Sequence, residues 1–521
     1  MPPAHLRRLV PRALIGALGM SVLSLSLLGT SLLDPSLVGP STAGLGSSPA
    51  QAAPATPEAI LSWDECGDWL PTGSTCGVLV VPRDWADPGD MNDPESTYRL
   101  ALARIPAENP RKREGVLTFN PGGPGSSGYE NILWIQSLLP QDVRDRFDIV
   151  AFDPRGVGNS EPEITGCKVA TLEPPATGEV DWEAWVDEYV VAHEAAAREC
   201  LDLNAEHAGN VGTWQIVRDI DALRDALGEE RISFIGQSYG TTVGRAYAQE
   251  FPDRAGRLVL DGNVSPRSTI RLWAWEHIWD DKLAIETALA AQGPKYPRLY
   301  EEVMSALDMK SLRHAGERIT RFDVGKRLLE WASFHSTWQS MAVLLDLVDA
   351  ALAAKTPEER RTTAAAVAAT VGEEPTVRNW LPPLYTYVNC SDFPDRPTRD
   401  YLVWVTKTAD LVGGVHTAQA ALREGAQCAG LPELGRPLEP RGPTTLETPP
   451  IVVNSVADNR TPWTAAAEMA AAFPGSQLVL YDGTHHIAFG RTTPCVDDPV
   501  DVYLSAGRIP AARVECRLDQ P

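Results

Sequence analysis

The sequence predicts an α/β fold: a mostly parallel sheet with crossover helices, interrupted once by a large helical insertion. Three observations carry this expectation. Short β-rich runs alternate with helical stretches from Cys76 to about residue 261, the alternation stops between about 264 and 445, and it resumes from 450 onward. Strands that alternate with helices argue for parallel pairing, because a parallel connection has to cross the sheet and a helix is the usual crossover.

The first fifty residues stand apart from the rest. Arg7, Arg8 and Arg12 precede an apolar stretch from 13 to 33, no Lys or Glu occurs before Glu58, and the segment closes on Ala50-Gln51-Ala52-Ala53. A basic start, an apolar middle and a small-x-small end are what a signal peptidase accepts, so residues 1–52 read as an export signal. A membrane anchor is the competing reading, since the stretch approaches spanning length. Ser, Thr, Gly and Pro interrupt it, however, and a Pro/Ala-rich linker follows. The mature protein is therefore expected to be secreted or associated with the cell envelope, with no membrane span left after cleavage. Arg7-Arg8 resembles a twin-arginine pair, in surroundings that match that signal poorly.

Residues 53–263 read as the first part of the α/β core. Runs 77–82 and 98–104 suggest an opening hairpin. Runs 115–120 (GVLTFN), 147–153 (FDIVAFD) and 232–236 (ISFIG) are short, β-rich and bounded by turn residues, as buried central strands are. Residues 214–227 carry apolar side chains at helical spacing and stop at Gly228, a suitable C-cap. A further strand is expected over 258–261. The insertion, 264–445, is helix-rich and holds seven of the fifteen tryptophans: Trp273, Trp275, Trp279, Trp331, Trp338, Trp380 and Trp404. Residues 446–521 complete the core with a strand at 450–456, a helix at 461–473 and a strand at 477–481.

Composition narrows the class. The chain has 521 residues, 43% hydrophobic and 22% charged, with a net charge of −23. Removing residues 1–52, which carry three Arg and one Asp, leaves about −25. Such an acidic surface excludes nucleic acid and anionic membranes as partners. All eight cysteines lie beyond the leader, which in an exported chain points to disulfides. Connectivity is not readable from spacing, but pairing neighbours is simplest: Cys66–Cys76, Cys167–Cys200, Cys390–Cys428 and Cys495–Cys516. No Cys-x-x-Cys or Cys/His cluster suggests a metal.

The chemistry centres on Gly236-Gln237-Ser238-Tyr239-Gly240, a G-x-S-x-G motif between a strand and a helix-compatible run. That setting is the nucleophile elbow of the α/β-hydrolase fold, where a strained turn exposes a serine hydroxyl and small neighbours let strand and helix approach. A serine nucleophile needs a base, and the base needs an acid to orient it. In this fold the order is Ser, acid, His. Asp458 follows the strand at 450–456 and suits the acid, with an N-cap as its competing role. Asp482 and Asp497 come later and are less well placed. His485 and His486 follow the last strand, and spacing alone does not choose between them. Asn120-Pro121-Gly122-Gly123-Pro124-Gly125 directly follows GVLTFN, where the oxyanion loop belongs, and Tyr239 supplies the second backbone donor.

Together, NPGGPG at 120–125, FDPRGVGNS at 152–160, GQSYGT at 236–241, DNRTP at 458–462 and DGTHH at 482–486 resemble the secreted tripeptidyl-aminopeptidase and proline-iminopeptidase branch of the α/β hydrolases. The resemblance covers most of the mature chain. It implies His486 as the base, since the family's Asp-Gly-x-Gly-His ending places His485 at the glycine. It implies Asp458 as the acid and donors from Gly122, Gly123 and Tyr239. Asp153 and Arg155 belong to a stretch that reads as scaffold. The resemblance also implies that the insertion is a helical cap whose acidic side chains hold a free peptide N-terminus. Glu276, Asp280, Asp281 and Asp392 are the candidates, and each is otherwise a solvated carboxylate. The activity expected is release of N-terminal residues or tripeptides through an acyl-enzyme, without a cofactor. A secreted esterase or lipase using the same triad is the main rival. A dead scaffold would have lost one of the three residues, and dehalogenases or epoxide hydrolases would carry Asp in place of Ser238.

Overall fold

The computed structural model describes residues 59–164, 172, 180–372, 384–508 and 512–518. The expected leader, Trp380 and Cys167 lie outside them, and with Cys167 the pairing to Cys200. The chain opens with β1 (Ile60–Glu65), β2 (Thr75–Pro82), β3 (Thr97–Ile105) and β4 (Gly115–Asn120). Helices α1 (Ile132–Leu138) and α2 (Gln141–Arg144) lead to β5 (Phe147–Phe152). Then come α3 (Trp182–Asn204), α4 (Thr213–Ala226), β6 (Ile232–Gln237), α5 (Tyr239–Glu250) and β7 (Ala255–Asp261). The insertion holds α6 (Ile270–Gln292), α7 (Tyr296–Met309), a small hairpin of β8 (Leu312–His314) and β9 (Glu317–Ile319), α8 (Arg321–Ala332), α9 (Trp338–Ala353) and α10 (Pro357–Gly372). It ends with α11 (Leu384–Asp392), α12 (Arg399–Gly413) and α13 (Val415–Ala426). The core resumes with β10 (Ile451–Ser455), α14 (Trp463–Ala472), β11 (Gln477–Asp482), α15 (Pro494–Ala506) and β12 (Arg513–Arg517).

Ten strands form one sheet in the order β1-β2-β3-β5-β4-β6-β7-β10-β11-β12. Pairs β1/β2, β2/β3 and β3/β5 are antiparallel, and the rest of the sheet is parallel. Strands β4, β5, β6 and β10 are buried at every residue. Helices cover both faces, so neither face demands polar residues. The period of two assigns the side chains. Val116, Ile232, Phe234 and Val452 face α4, α5 and α14, whereas Leu117, Ile235, Ile451 and Val453 face α1, α2 and α15.

The edge strands β1 and β12 and the helix α3 escaped the sequence reading. Helix α3 precedes the elbow in sequence but packs with the insertion: Trp182, Trp185, Val186 and Tyr189 share a cluster with Leu402, Val405 and Ala418. Trp182 Nε1 also donates to Asp410 at 3.0 Å. Of the insertion's tryptophans, Trp338 and Trp273 are core, while Trp279 and Trp404 are about half exposed. Disulfides join Cys66–Cys76, Cys390–Cys428 and Cys495–Cys516. They pin β1 to β2, α11 to the end of α13, and α15 to β12.

The FDPRGVGNS stretch is scaffold with identifiable bonds. Asp153 accepts from Ser127 Oγ at 2.6 Å, Tyr129 N at 3.0 Å and Asn159 N at 2.8 Å, which folds the loop around its carboxylate. Arg155 lies fully buried against Asp219 of α4 in a bidentate pair, both bonds at 2.6 Å, and its Nη2 also donates to Pro82 O at 2.8 Å. A planar guanidinium is the side chain that satisfies a carboxylate and a carbonyl at once. Asp219→Ala, which strands that cation, should therefore cost about 3–5 kcal/mol in denaturant unfolding while leaving activity per folded molecule intact. A loss below about 1 kcal/mol would show that the backbone carbonyls alone satisfy Arg155.

Candidate active site

Ser238 stands between the end of β6 and the start of α5 with φ 55° and ψ −123°. A non-glycine residue at positive φ is strained, and a tight fit is needed to hold it. Three glycines allow that fit. A Cβ on Gly236 would lie 2.3 Å from Gly240 O, one on Gly240 would lie 2.3 Å from Asn120 O, and one on Gly122 would lie 2.4 Å from Gln237 O. The glycines of G-x-S-x-G and of NPGGPG are thus required by close backbone approach, and they set the 120–125 loop against the elbow.

Asp458 is 1% exposed and follows β10. It accepts from Arg460 N at 2.8 Å, Thr461 N at 3.2 Å and Thr461 Oγ1 at 2.9 Å, so its orientation is fixed by its own turn. His486 Nδ1 lies 2.9 Å from Asp458 Oδ2 and 3.1 Å from Oδ1. With Nδ1 bound to the carboxylate, Nε2 is the nitrogen left to act as base. His485 turns elsewhere: its Nδ1 lies 3.0 Å from His486 O, its ring meets Phe334 edge-on, and burial pushes it below the usual histidine range. His486 and Ser238 converge on the end of β7. Ser238 N donates to Asp261 O at 2.9 Å, and a Cβ on the next residue, Gly262, would lie 3.4 Å from His486 Cε1. Among the described residues no hydrogen bond joins Ser238 Oγ to His486, a contact that commonly tightens only when substrate binds.

Of the three donors expected for the oxyanion, Gly122 is engaged: its N–H donates to Asn120 Oδ1 at 2.9 Å. Its role here is close approach. The Gly123 and Tyr239 N–H groups have no such partner among the described residues. The Tyr239 side chain anchors its own end of the site, with Oη 2.5 Å from Thr213 Oγ1, which in turn donates to Asp392 Oδ2 at 2.5 Å.

That contact relocates Asp392. It is 1% exposed, accepts from Thr213 N at 2.8 Å, and clamps α11 to α4 behind Tyr239 rather than facing the active-site opening. The three carboxylates on α6 behave differently. Glu276 and Asp280 sit one helical turn apart on one face, half-buried and without a hydrogen bond or ion pair among the described residues. Burial pushes Glu276 up to about 7, and Arg267, the cation that opposes this, is itself paired with Glu468. Asp280 is raised well above the carboxylate range by burial and by Asp281, Glu276 and Asp458. Asp281 is 2% exposed; its Oδ1 is 3.4 Å from Asn459 Nδ2 and its Oδ2 has no partner among the described residues. Burial raises it to about 7.

Two bracing residues had not been anticipated. Asp261, fully buried, accepts from Ala488 N at 3.1 Å and Phe489 N at 2.9 Å, so one residue holds the Ser238 backbone and the segment after His486. Its sequence signal is an acid closing a buried strand. Ser333, after α8, reaches down from the insertion: its carbonyl accepts from His486 N at 3.2 Å and its Oγ donates to Asn459 Oδ1 at 2.7 Å. Nothing in the sequence marks it.

Fold and site together define a serine hydrolase of the α/β-hydrolase class. Residues 115–326 match a family model described as alpha/beta hydrolase fold, and residues 415–516 match one described as TAP-like protein. The chain is 28% identical over 506 residues to the tripeptidyl aminopeptidase of Streptomyces lividans, covering 90% of this chain and 88% of that one. It is 30% identical over 485 residues to the serine protease Hip1 of Mycobacterium tuberculosis strain H37Rv, covering 86% and 88%. Carboxylesterase B of Mycobacterium tuberculosis strain CDC 1551 is 25% identical over 489 residues, covering 87% and 89%. The chain belongs to the tripeptidyl-aminopeptidase-like serine peptidases of the α/β-hydrolase fold.

Two expectations follow from this geometry. Asp261→Asn replaces one acceptor by a donor facing an N–H, so it should lower kcat by roughly 10–100-fold through misplacement of His486 while changing KM little; steady-state kinetics showing an unchanged kcat would mean the loop holds without it. Asp281 keeps its proton in the folded state up to about 7, whereas an unfolded aspartate loses it near 4. The stability this contributes is full below about 4 and is lost as pH rises through about 7. Asp281→Asn should therefore melt above wild type at pH 8, and the difference should close toward pH 4.

Proposed function

We propose that the protein is an exported serine exopeptidase that cleaves amide bonds near a free peptide N-terminus. In this reading His486 Nε2 takes the Ser238 proton and Ser238 Oγ attacks the scissile carbonyl. Asp458 orients the imidazole and supports its positive charge. The oxyanion is held by the N–H groups of Gly123 and Tyr239. His486 then protonates the leaving amine, and water, deprotonated by the same imidazole, hydrolyses the acyl-enzyme.

The observation that carries the exopeptidase reading is the set of α6 carboxylates. Asp280 lies within electrostatic reach of Asp458, Glu276 and Asp281, and no cation is among the charges that shift it. Unpaired, partly buried anions of one sign are costly, and a cationic ligand that enters between them recovers that cost. A peptide α-ammonium is such a ligand, and its position beside the acid loop sets the distance from the N-terminus to the scissile bond. Glu276 and Asp280 are assigned to the amine, Asp281 to bracing of Asn459, and Asp392 to the support of Tyr239. The tripeptidyl aminopeptidase relative supports three residues as the length released. Helices α6–α13, joined by α3, form the cap in this reading, and residues 1–52 form the export signal. The three disulfides are consistent with export, and no helix among the described residues is long and apolar enough to cross a membrane.

The test is a matched panel of free-amine tripeptidyl and prolyl amides, their N-acetylated forms, and short nitrophenyl esters, with Ser238→Ala as the blank. Cleavage of free amines well above that of their N-acetylated forms is expected, and the tripeptide-to-proline ratio names the subtype. Ester turnover without free-amine amide turnover would replace this reading by that of an esterase. Glu276→Gln should raise KM for the free amine by roughly 10-fold or more, the value of one charged hydrogen bond, and leave N-acetylated substrate unaffected. Because Glu276 is ionised only above about 7, the preference for free-amine over N-acetylated substrate should fall below that pH in wild type and stay level in the variant.

A further inference from the structure

A crevice along α5, well past its Ser238 end, carries charge that none of the catalytic steps uses. It encloses about 80 Å³ between α4, α5 and the chain at 437–441, and Trp214, Arg218, Arg245, Glu250, Glu439 and Arg441 line it. Arg245 is only 5% exposed. Its one hydrogen bond among the described residues runs from Nη1 to Gln249 Oε1 at 2.9 Å, and its Nε has no partner. The carboxylate nearest in charge is Asp392, whose oxygens are occupied by Thr213. Arg441 stands close enough to depress Arg245 further, and burial with that repulsion brings it down to about 10.

The other cations are held in place around it. Glu250 accepts from Arg218 Nη2 at 2.7 Å and from Arg441 Nη2, while Arg441 Nη1 donates to Gln249 O at 2.8 Å. The guanidinium of Arg218 lies 3.6 Å from the Trp214 ring centroid, and that of Arg436 lies 4.5 Å from it. Three arginines thus line a small opening that contains two glutamates, one of them shared by two arginines, and Arg436 stacks on Trp214 beside it. In a chain of net charge −23 this is a concentrated cationic site. A buried guanidinium with an unused N–H is costly unless an acceptor completes it.

We propose that this crevice binds a single phosphate-sized oxyanion, with Arg245 as the buried anchor and Arg441 and Arg218 at the rim. Guanidinium forks match the oxygens of a tetrahedral oxyanion, and the volume admits one such group. A larger ligand would seat its phosphate there and project the remainder outward.

Calorimetric titration of the full chain with inorganic phosphate, at constant ionic strength against chloride, tests the site. Glycerol phosphate is titrated in parallel to separate a free ion from an esterified phosphate group. Saturable binding is expected, weakened about 10-fold or more in both Arg245→Gln and Arg441→Gln, as loss of a charged hydrogen bond requires. Tighter binding of free phosphate assigns the site to the ion, and equal or tighter binding of the ester assigns it to a phosphate carried by a larger molecule. Arg441 is at the exposed rim, so its variant reports even where Arg245→Gln fails to fold. No saturable heat beyond the chloride control, or an unchanged Kd in Arg441→Gln, overturns the proposal.

Discussion

The rest of this structure depends on the backbone of Ser238. Holding a non-glycine residue in the left-handed region costs about 1–3 kcal/mol, and it persists only where the surroundings leave no alternative. Here β6 and α5 are held so close that Gly236 and Gly240 have no room for a side chain, and Gly122 presses the oxyanion loop against the same turn. The carbonyl of Asp261 receives the Ser238 N–H, and the carboxylate of the same residue receives two N–H groups just beyond His486. Ser238 and His486 therefore share a support from the end of β7. This is how groups more than two hundred residues apart in sequence are kept in register.

The helical insertion has a double role. Its α8 end contacts the catalytic loops directly, through Ser333 on His486 N and on Asn459. Its α6 brings Asp280 within electrostatic reach of Asp458 and sets Asp281 against Asn459. Helix α6 and the end of α8 are thus joined by the short chain Asp281–Asn459–Ser333. Carboxylates kept in low-dielectric surroundings without a paired cation destabilise the fold at neutral pH, the kind of cost that functional sites tolerate. Elsewhere the protein places its buried charges conservatively: Arg155 with Asp219, and Arg423 with Glu424 at 2.9 Å, are paired at close range. Against that background the unpaired groups on α6 and at Arg245 stand out as positions left open for something else.

Much of the fold was legible in the sequence, because the signals are local. The continuous β-rich runs GVLTFN, FDIVAF and ISFIG, the glycines around Ser238, and the turn DNRTP each specify their own conformation within a few residues. The edge strands β1 and β12 were not legible, because half-exposed pairing leaves little hydrophobic pattern. Helix α3 was assigned to no layer, since its partners are two hundred residues away. The four acidic candidates were not distinguishable in sequence, each a carboxylate in a helical stretch. Packing separates them: Asp392 meets Thr213 behind the elbow, whereas Glu276 and Asp280 meet no hydrogen-bond or ion-pair partner among the described residues. By itself, then, the sequence determined the central strands, the G-x-S-x-G elbow and the order of the loops that follow it, because turn chemistry and periodicity act between near neighbours. Only the tertiary structure decided which histidine faces the acid, which glycine N–H is already taken and which carboxylates stay unpaired. Those outcomes depend on what distant segments bring within about 3 Å, the reach of a hydrogen bond.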